Sequence, residues 1–133
     1  MGQDLLKRIL KGSAPREVWI THGIPAVLVE TVAEHIFKGV IIAARLTRAL
    51  DADLGLVVEH LIEAETSRGG ILEFKISKLA SLLATAVQAR MYLRMGFDVK
   101  DVLEKSLFEA LEIVEELPQR KDVVKLVDDL LKD

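Results

Sequence analysis

Residues 72–95 read LEFKISKLASLLATAVQARMYLRM, and this stretch decides the fold. It contains neither proline nor glycine, and Gly96 follows it, so the pattern predicts one long helix over residues 72–95 that ends at Gly96. Apolar side chains lie on most sides of this helix and leave little room for a solvated stripe. We therefore expect it to be the central helix, to be covered partly by a second copy of the chain, or both, and we favour both.

The rest of the chain also has helical periodicity, interrupted by few prolines and glycines. Thr31 and Glu34 form a capping-box pattern that predicts the start of a second helix, whose apolar positions recur at three- and four-residue steps up to about Leu50. Those positions are Val32, Ile36, Phe37, Val40, Ile41 and Ala44. Further helices are predicted over residues 4–11, after a cap at Asp51 or Asp53, after a cap at Asp98, and over residues 121–131.

Residues 16–30 are predicted to be an irregular segment, and the Ser67–Gly70 stretch is the clearest break in the chain. At 133 residues, with 50% hydrophobic residues, the chain is long enough for one core and too apolar for disorder. The sequence therefore predicts an all-α, single-domain helical bundle of five to six helices over residues 1–133.

Composition excludes several classes of function. The chain has no cysteine, so disulfides and thiolate-bound metals are excluded, and a metal would need His, Asp or Glu ligands. A net charge of -3 with interspersed signs argues against a nucleic-acid partner. The longest apolar run, residues 40–44, is too short to cross a membrane, and no secretory signal is visible at the start, so we expect a cytoplasmic protein. The absence of Asn among many Glu and Lys is typical of thermophiles.

Five polar residues lie among apolar neighbours on the predicted helices: His35, Glu59, His60, Glu63 and Ser77. Glu59 and Glu63 are one helical turn apart, and His60 is three residues before Glu63. If His35 faces the same point, two imidazoles and one or two carboxylates could bind zinc, manganese or iron. The alternative is that each histidine is a structural side chain and each glutamate is solvated. By the same default, Arg16 is a surface charge, Trp19 is a core anchor and the loop residue His22 is exposed.

Three stretches resemble the opening of the HD-domain phosphohydrolases, in particular their 5′-deoxynucleotidase-like branch. They are Arg16-Glu17-Val18-Trp19, His22-Gly23-Ile24, and Glu30-Thr31-Val32-Ala33-Glu34-His35-Ile36-Phe37-Lys38. A further stretch, Lys75-Ile76-Ser77-Lys78-Leu79-Ala80, is similar to the branch's K-x-A-D-K-L-A segment. The resemblance spans residues 16–117. It implies that His35 is the first metal ligand, that Arg16 binds the substrate phosphate and that Glu63 assists the attacking water.

The chain departs from the family at the positions of the other metal ligands. The family's His-Asp pair becomes Glu59-His60, the final Asp becomes Ser77, and the family's next Gly-Asp falls on Ser67-Arg68. A neutral hydroxyl is a poor ligand for a hard divalent ion. Between that Gly-Asp position and the last metal ligand the family has a further segment of about forty residues, which this chain lacks.

Two interpretations follow from this resemblance. In the preferred one, the chain is a degenerate HD-domain protein, a non-catalytic homodimeric binding or scaffold module, paired through the predicted fourth and fifth helices, that retains a nucleotide-phosphate pocket. In the alternative, His35, Glu59 and His60 bind one divalent metal (Mn, Co or Zn), Glu63 positions water and Arg16 holds the phosphate of a 5′-deoxynucleoside monophosphate. The chain would then be a metal-dependent phosphomonoesterase.

Overall fold

The computed structural model of the chain describes residues 2–63 and 70–132. These residues form seven α-helices and one short 3₁₀ turn, with no β-strand in either range. The helices are α1 (Gly2–Lys11), α2 (Glu17–Thr21), α3 (Val32–Leu50), α4 (Leu54–Ile62), α5 (Ile71–Arg94), α6 (Lys100–Glu115) and α7 (Arg120–Leu131), and the 3₁₀ turn is Ala26–Leu28. The all-α prediction is confirmed. The predicted Ser67, Arg68 and Gly69 break lies outside the described residues.

Helix α5 is the centre of the bundle. It contacts α3, α4, α6 and α7, and its Ile76, Leu79 and Leu83 are fully buried. After it, Gly96 adopts a φ of +97°, a conformation that a residue with a Cβ atom rarely adopts, which explains why the helix ends here. The prediction of a central helix ending at Gly96 is therefore confirmed. Most of the apolar surface that suggested a dimer through α5 is covered by other helices of the same chain.

The capping residues in the sequence predicted the helix start correctly where the structure has a side-chain cap. The Thr31 hydroxyl accepts a hydrogen bond from the Glu34 amide (3.1 Å), and the Glu34 carboxylate accepts one from the Thr31 amide (2.9 Å). Asp53 accepts from the Leu56 amide (3.2 Å) and caps α4. The predicted cap at Asp98 was wrong, because α6 begins one residue later, with Val99 at the N-cap position and no side-chain cap.

Residues 16–30 are more regular than predicted, because α2 and the 3₁₀ turn both lie within them. This extra helix accounts for the difference between the predicted five to six helices and the seven observed. The buried face of α3 also differs: Phe37 and Ile41 were expected to face the core but are 66% and 53% exposed. Instead α3 packs through the side that carries Gly39, where an added Cβ would lie 3.2 Å from the Leu61 side chain of α4.

Two apolar clusters fill the interior. The larger one joins α3, α4, α5, α6 and α7 around Leu46 and Leu83. The smaller one lies at the far end of α5, where Trp19 packs edge-on against Tyr92 with ring centroids 5.0 Å apart. Trp19 is fully buried, as expected for a core anchor. None of the described helices combines the length and the apolar character that crossing a bilayer would require.

Candidate functional site

The carboxylate of Glu30 is the centre of a polar network beside the smaller cluster. Only 1% of its side chain is exposed, and three side chains donate to it. Arg16 Nη1 (3.0 Å) and the Trp19 indole N–H (2.9 Å) reach Oε1, and Lys38 Nζ (2.7 Å) reaches Oε2. A buried carboxylate requires such partners, because its desolvation would otherwise cost several kcal/mol.

The backbone around Glu30 is fixed from two directions. The Glu30 amide donates to the Tyr92 hydroxyl (2.9 Å), which in turn donates to the Leu28 carbonyl (2.5 Å). The Arg16 amide donates to the Glu30 carbonyl (3.0 Å), so the chain entering α2 lies beside the chain entering α3. Short helices and a tyrosine from α5 thus hold Glu30, Arg16 and Trp19 in one arrangement.

His35 lies one turn into α3, next to this network. Its Nε2 lies 2.9 Å from the Ser81 hydroxyl of α5, whereas its buried Nδ1 has no hydrogen-bond partner in the described residues. Burial, followed by the nearby Arg16 guanidinium, lowers the pKa of His35 from 6.5 to about 4. The imidazole is therefore neutral at pH 7, and Nδ1 is a polar atom that a ligand could satisfy.

Two cations contact the buried Glu30 carboxylate. The side chains of Arg16 and Lys38 are 20% and 25% exposed, so both remain partly accessible to solvent. Arg16 Nη1 makes the contact with Glu30 and also donates to the Thr85 hydroxyl (3.3 Å). Glu34 is the next carboxylate along α3, but it is exposed and its Oε1 accepts from the Thr31 amide. Arg16, Lys38 and Glu30 together carry one net positive charge. The Thr85 hydroxyl contacts Arg16 in the same network.

A cleft of about 290 Å³ between α2, α5 and α6 begins at Thr85. Its lining residues are Val18, His22, Leu82, Thr85, Asp101, Val102, Lys105, Ser106 and Glu109. The His22 ring closes one side of this cleft, with Nε2 2.9 Å from Asp101 and Nδ1 2.7 Å from the Val18 carbonyl. These hydrogen bonds, with that to Asp101 the larger cause, raise the pKa of His22. His22 is therefore tied to α6 rather than being an isolated loop histidine.

The other predicted site residues lie on or beside α4. Glu59 and His60 are in the helix, and Glu63 is its C-cap residue, where its carboxylate pairs with Arg8 of α1. Ser77 is buried on α5 and donates to the Phe74 carbonyl (2.7 Å). The structure thus brings Arg16 and His35 together in one network, whereas Glu59, His60 and Glu63 lie on α4 or at its end.

The predicted metal ligands can be compared with the positions of the His, Asp and Glu side chains in the structure. Within residues 2–63 and 70–132, no three His, Asp or Glu side chains are grouped so that they could hold a metal ion. His35, Glu59 and His60 do not form such a group. Ser77 directs its hydroxyl to its own helix, so it contributes no charge toward a cation.

His60 is nevertheless unusual among the buried residues. It is 6% exposed, and neither ring nitrogen has a hydrogen-bond partner in the described part of the chain. The imidazole instead packs edge-on against the Phe74 ring, with centroids 5.6 Å apart at an interplanar angle of 74°. An unpaired buried polar group costs about 1–3 kcal/mol, so His60 is destabilising unless a partner outside the described residues satisfies it.

Sequence reasoning missed four members of the network: Glu30, Lys38, Ser81 and Thr85. Glu30 and Lys38 were within the quoted motif but were not assigned a role. The sequence pattern that could have pointed to them is an acidic residue directly after the apolar stretch 26–29, with a lysine eight residues later. Ser81 and Thr85 are one helical turn apart on α5, which places both hydroxyls on the face toward the cations.

Comparisons with protein-family models, with curated proteins and with solved structures gave no match to this chain. The resemblance to the HD-domain phosphohydrolases therefore stays a prediction from the sequence.

Proposed function

We propose that the chain is a non-catalytic, dimeric binding module. Its ligand carries a phosphate group, which binds at Arg16 and Lys38, and the ligand class we propose is a nucleotide. The observation that carries the proposal is that two partly exposed cations share one buried carboxylate, with the exposed Glu34 as the further carboxylate near Lys38. Charge-assisted hydrogen bonds from Arg and Lys are the usual means of holding a phosphate oxygen.

The neighbouring groups are suited to the same ligand. Either the Ser81 hydroxyl or His35 Nδ1 can donate to a phosphate oxygen, depending on the His35 tautomer, whereas the Thr85 hydroxyl already donates to the Ser81 carbonyl (3.2 Å). The cleft shares Thr85 with the Arg16 network and is close to the lower limit of size for small-molecule sites, with Val18 and Leu82 among its lining residues. A phosphate at Arg16 could therefore be continued by a sugar and base lying in the cleft.

Calorimetric titration tests this proposal. Inorganic phosphate and a panel of 2′-deoxynucleoside 5′-monophosphates are titrated into metal-free protein and into Lys38→Gln, with Lys100→Gln as the matched control on an exposed ion pair. We expect the nucleotide to bind wild type and the control equally, and Lys38→Gln at least tenfold more weakly, which corresponds to about 1.4 kcal/mol. Equal affinity of all three proteins, or no binding to any, would exclude a site at Lys38.

The alternative, a metal-dependent phosphohydrolase, is favoured by one observation: His35 and His60 both have ring nitrogens without a partner in the described residues. Such nitrogens are available as metal ligands. Elemental analysis of the purified protein, followed by assay of phosphate release with added Mn²⁺, Co²⁺ or Zn²⁺, separates the two functions. Stoichiometric metal together with turnover that is lost in His35→Ala would establish the enzyme.

A further inference from the structure

Helix α1 presents an apolar face that nothing in the described residues covers. None of its residues is buried. Leu5, Leu6, Ile9 and Leu10 are 61%, 54%, 64% and 57% exposed. At 100° per residue these four positions fall in one continuous arc, and the polar residues occupy the other side. Such a face is characteristic of a helix that packs against another apolar surface.

The chain's own contacts hold α1 by its polar side. Arg8 pairs with Glu63 at the end of α4, and the Gly12 carbonyl accepts from the Ala33 amide (2.8 Å). The apolar arc lies on the side of α1 opposite its polar residues, so these contacts leave it uncovered. A helix of ten residues is only marginally stable by itself in water, so it gains stability from a surface that covers this arc.

The charges on α1 determine which surface fits. Lys7 and Arg8 flank the apolar arc, and Lys11 and Asp4 lie on the polar side, so α1 keeps an excess of positive charge. Two copies of α1 packed face to face would bring these like charges together. The partner surface should therefore be apolar with acidic edges.

Helix α6 offers such a surface. Its outward side exposes Phe108 (67%) and Leu111 (54%). Glu104, Glu112 and Glu115 are exposed in the same arc together with Lys105, so acidic charge prevails there. Lys100 and Arg120 pair with Glu104 (3.8 Å) and Glu115 (2.5 Å), but exposed ion pairs are weak and can be exchanged for new ones.

We propose that the apolar face of α1 in one copy of the chain packs on Phe108 and Leu111 of α6 in a second copy. Lys7 then lies beside Glu112, on the side of Phe108 away from Leu111. Two-fold symmetry makes the contact twice, so each copy contributes one α1 and one α6. The inference rests on the dimer of the proposed function, whose interface it specifies, and is independent of phosphate binding.

Disulfide trapping tests the pairing directly, because the chain has no cysteine of its own. Leu10→Cys and Leu111→Cys are prepared separately, mixed, and oxidised with diamide. We expect a mixed dimer as the main product, whereas Leu10→Cys mixed with the matched control Val27→Cys, an 89% exposed position on the 3₁₀ turn, should give little. Homodimers of Leu10→Cys as the main product, or equal yields with the control, would overturn the proposal.

Sedimentation velocity gives an independent test. We expect wild type to be a dimer, Leu6→Glu/Ile9→Glu to dissociate about a hundredfold more readily because two carboxylates would enter an apolar contact, and Val27→Glu to behave as wild type. Lys7→Glu should also weaken the dimer, and mixing it with Glu112→Lys should restore association. Circular dichroism checks that the variants stay folded, which is expected because α1 has no buried side chain.

The remaining outcomes are also decisive. A monomeric wild type would remove the dimer from the proposed function and this interface with it. A dimer unaffected by the α1 variants would leave the proposed dimer standing and overturn this interface alone. A monomer that sediments with phosphatidylglycerol vesicles, and loses this with Leu6→Glu/Ile9→Glu, would show that α1 binds anionic lipid instead.

Discussion

Glu30 and His60 are both buried polar side chains, and the structure treats them in opposite ways. Glu30 accepts hydrogen bonds from Arg16, Trp19 and Lys38, so its charge is compensated. His60 has no hydrogen-bond partner in the described residues and rests against the Phe74 ring. The difference shows that the burial of a polar side chain does not by itself indicate a hydrogen-bonded site in this bundle. The Glu30 carboxylate has three hydrogen-bond donors, whereas the contact that His60 makes is with the apolar ring of Phe74.

The largest expected effect is the loss of the Glu30 charge. Glu30→Gln keeps the size of the side chain but leaves Arg16 and Lys38 facing each other without a counterion. We expect it to lower the free energy of unfolding by about 3 kcal/mol, measured by urea denaturation. The control Glu115→Gln breaks an exposed pair with Arg120 and should change stability by less than about 1 kcal/mol. Equal effects in the two variants would show that Glu30 is not a compensated buried charge.

Removing the Tyr92 hydroxyl tests the backbone support of the same network. Tyr92→Phe leaves the buried Glu30 amide without its acceptor, and we expect a loss of about 2 kcal/mol in the free energy of unfolding. Hydrogen exchange at the Glu30 amide should accelerate accordingly. Unchanged exchange at this amide would contradict the hydrogen bond.

The pH dependence of stability separates His35 from an ordinary histidine. Because its folded-state pKa is about 4 and its usual value is 6.5, the unfolded chain binds the proton first as the pH falls. The free energy of unfolding should therefore decrease between pH 6.5 and pH 4, by about 2 kcal/mol from this group, and His35→Gln should remove that part of the decrease.

His22 is the control for this measurement, with the opposite sign. Its pKa is raised, so its contribution is present below pH 6.5 and is lost as the pH rises through the folded-state value. His22→Gln should therefore leave the acid-side decrease in place. The interpretation of His35 fails if wild type and His35→Gln have parallel stability curves between pH 6.5 and pH 4.

The smallest effect is expected at His60. His60→Leu replaces an unpaired imidazole with an apolar side chain beside Phe74, and we expect stability to be unchanged or raised by about 1 kcal/mol in thermal unfolding. Glu30→Leu, by contrast, should destabilise strongly. A loss of more than about 2 kcal/mol in His60→Leu would mean that His60 has a partner, and a metal that dissociates in this variant would identify it.

The parts of the fold that were predictable from sequence depend on local interactions. The capping box at Thr31 and Glu34 needs four consecutive residues, and the positive φ of Gly96 needs only one. The face of α3 that is buried was not predictable in the same way. Phe37 and Ile41 fit an apolar stripe, but the close approach of Leu61 to Gly39 turns that stripe toward solvent.

The candidate site was only partly predictable for a similar reason. Arg16 and His35 were found because they belong to a motif in the chain. Glu30 became the centre only because Tyr92, 62 residues later, fixes its backbone, and Thr85 completes the contact with Arg16 from 69 residues away. Periodicity within one helix carries no information about such long-range pairs.

The most direct test is phosphorus NMR of 2′-deoxyadenosine 5′-monophosphate mixed with the protein and Zn²⁺, which is diamagnetic and does not itself broaden the phosphate resonance. We expect the ester resonance to shift or broaden with wild type, Lys38→Gln to abolish the change, and no inorganic phosphate signal to grow with time. Growth of inorganic phosphate that depends on His35 would contradict the non-catalytic assignment. An ester resonance that wild type leaves unchanged would contradict the binding site itself.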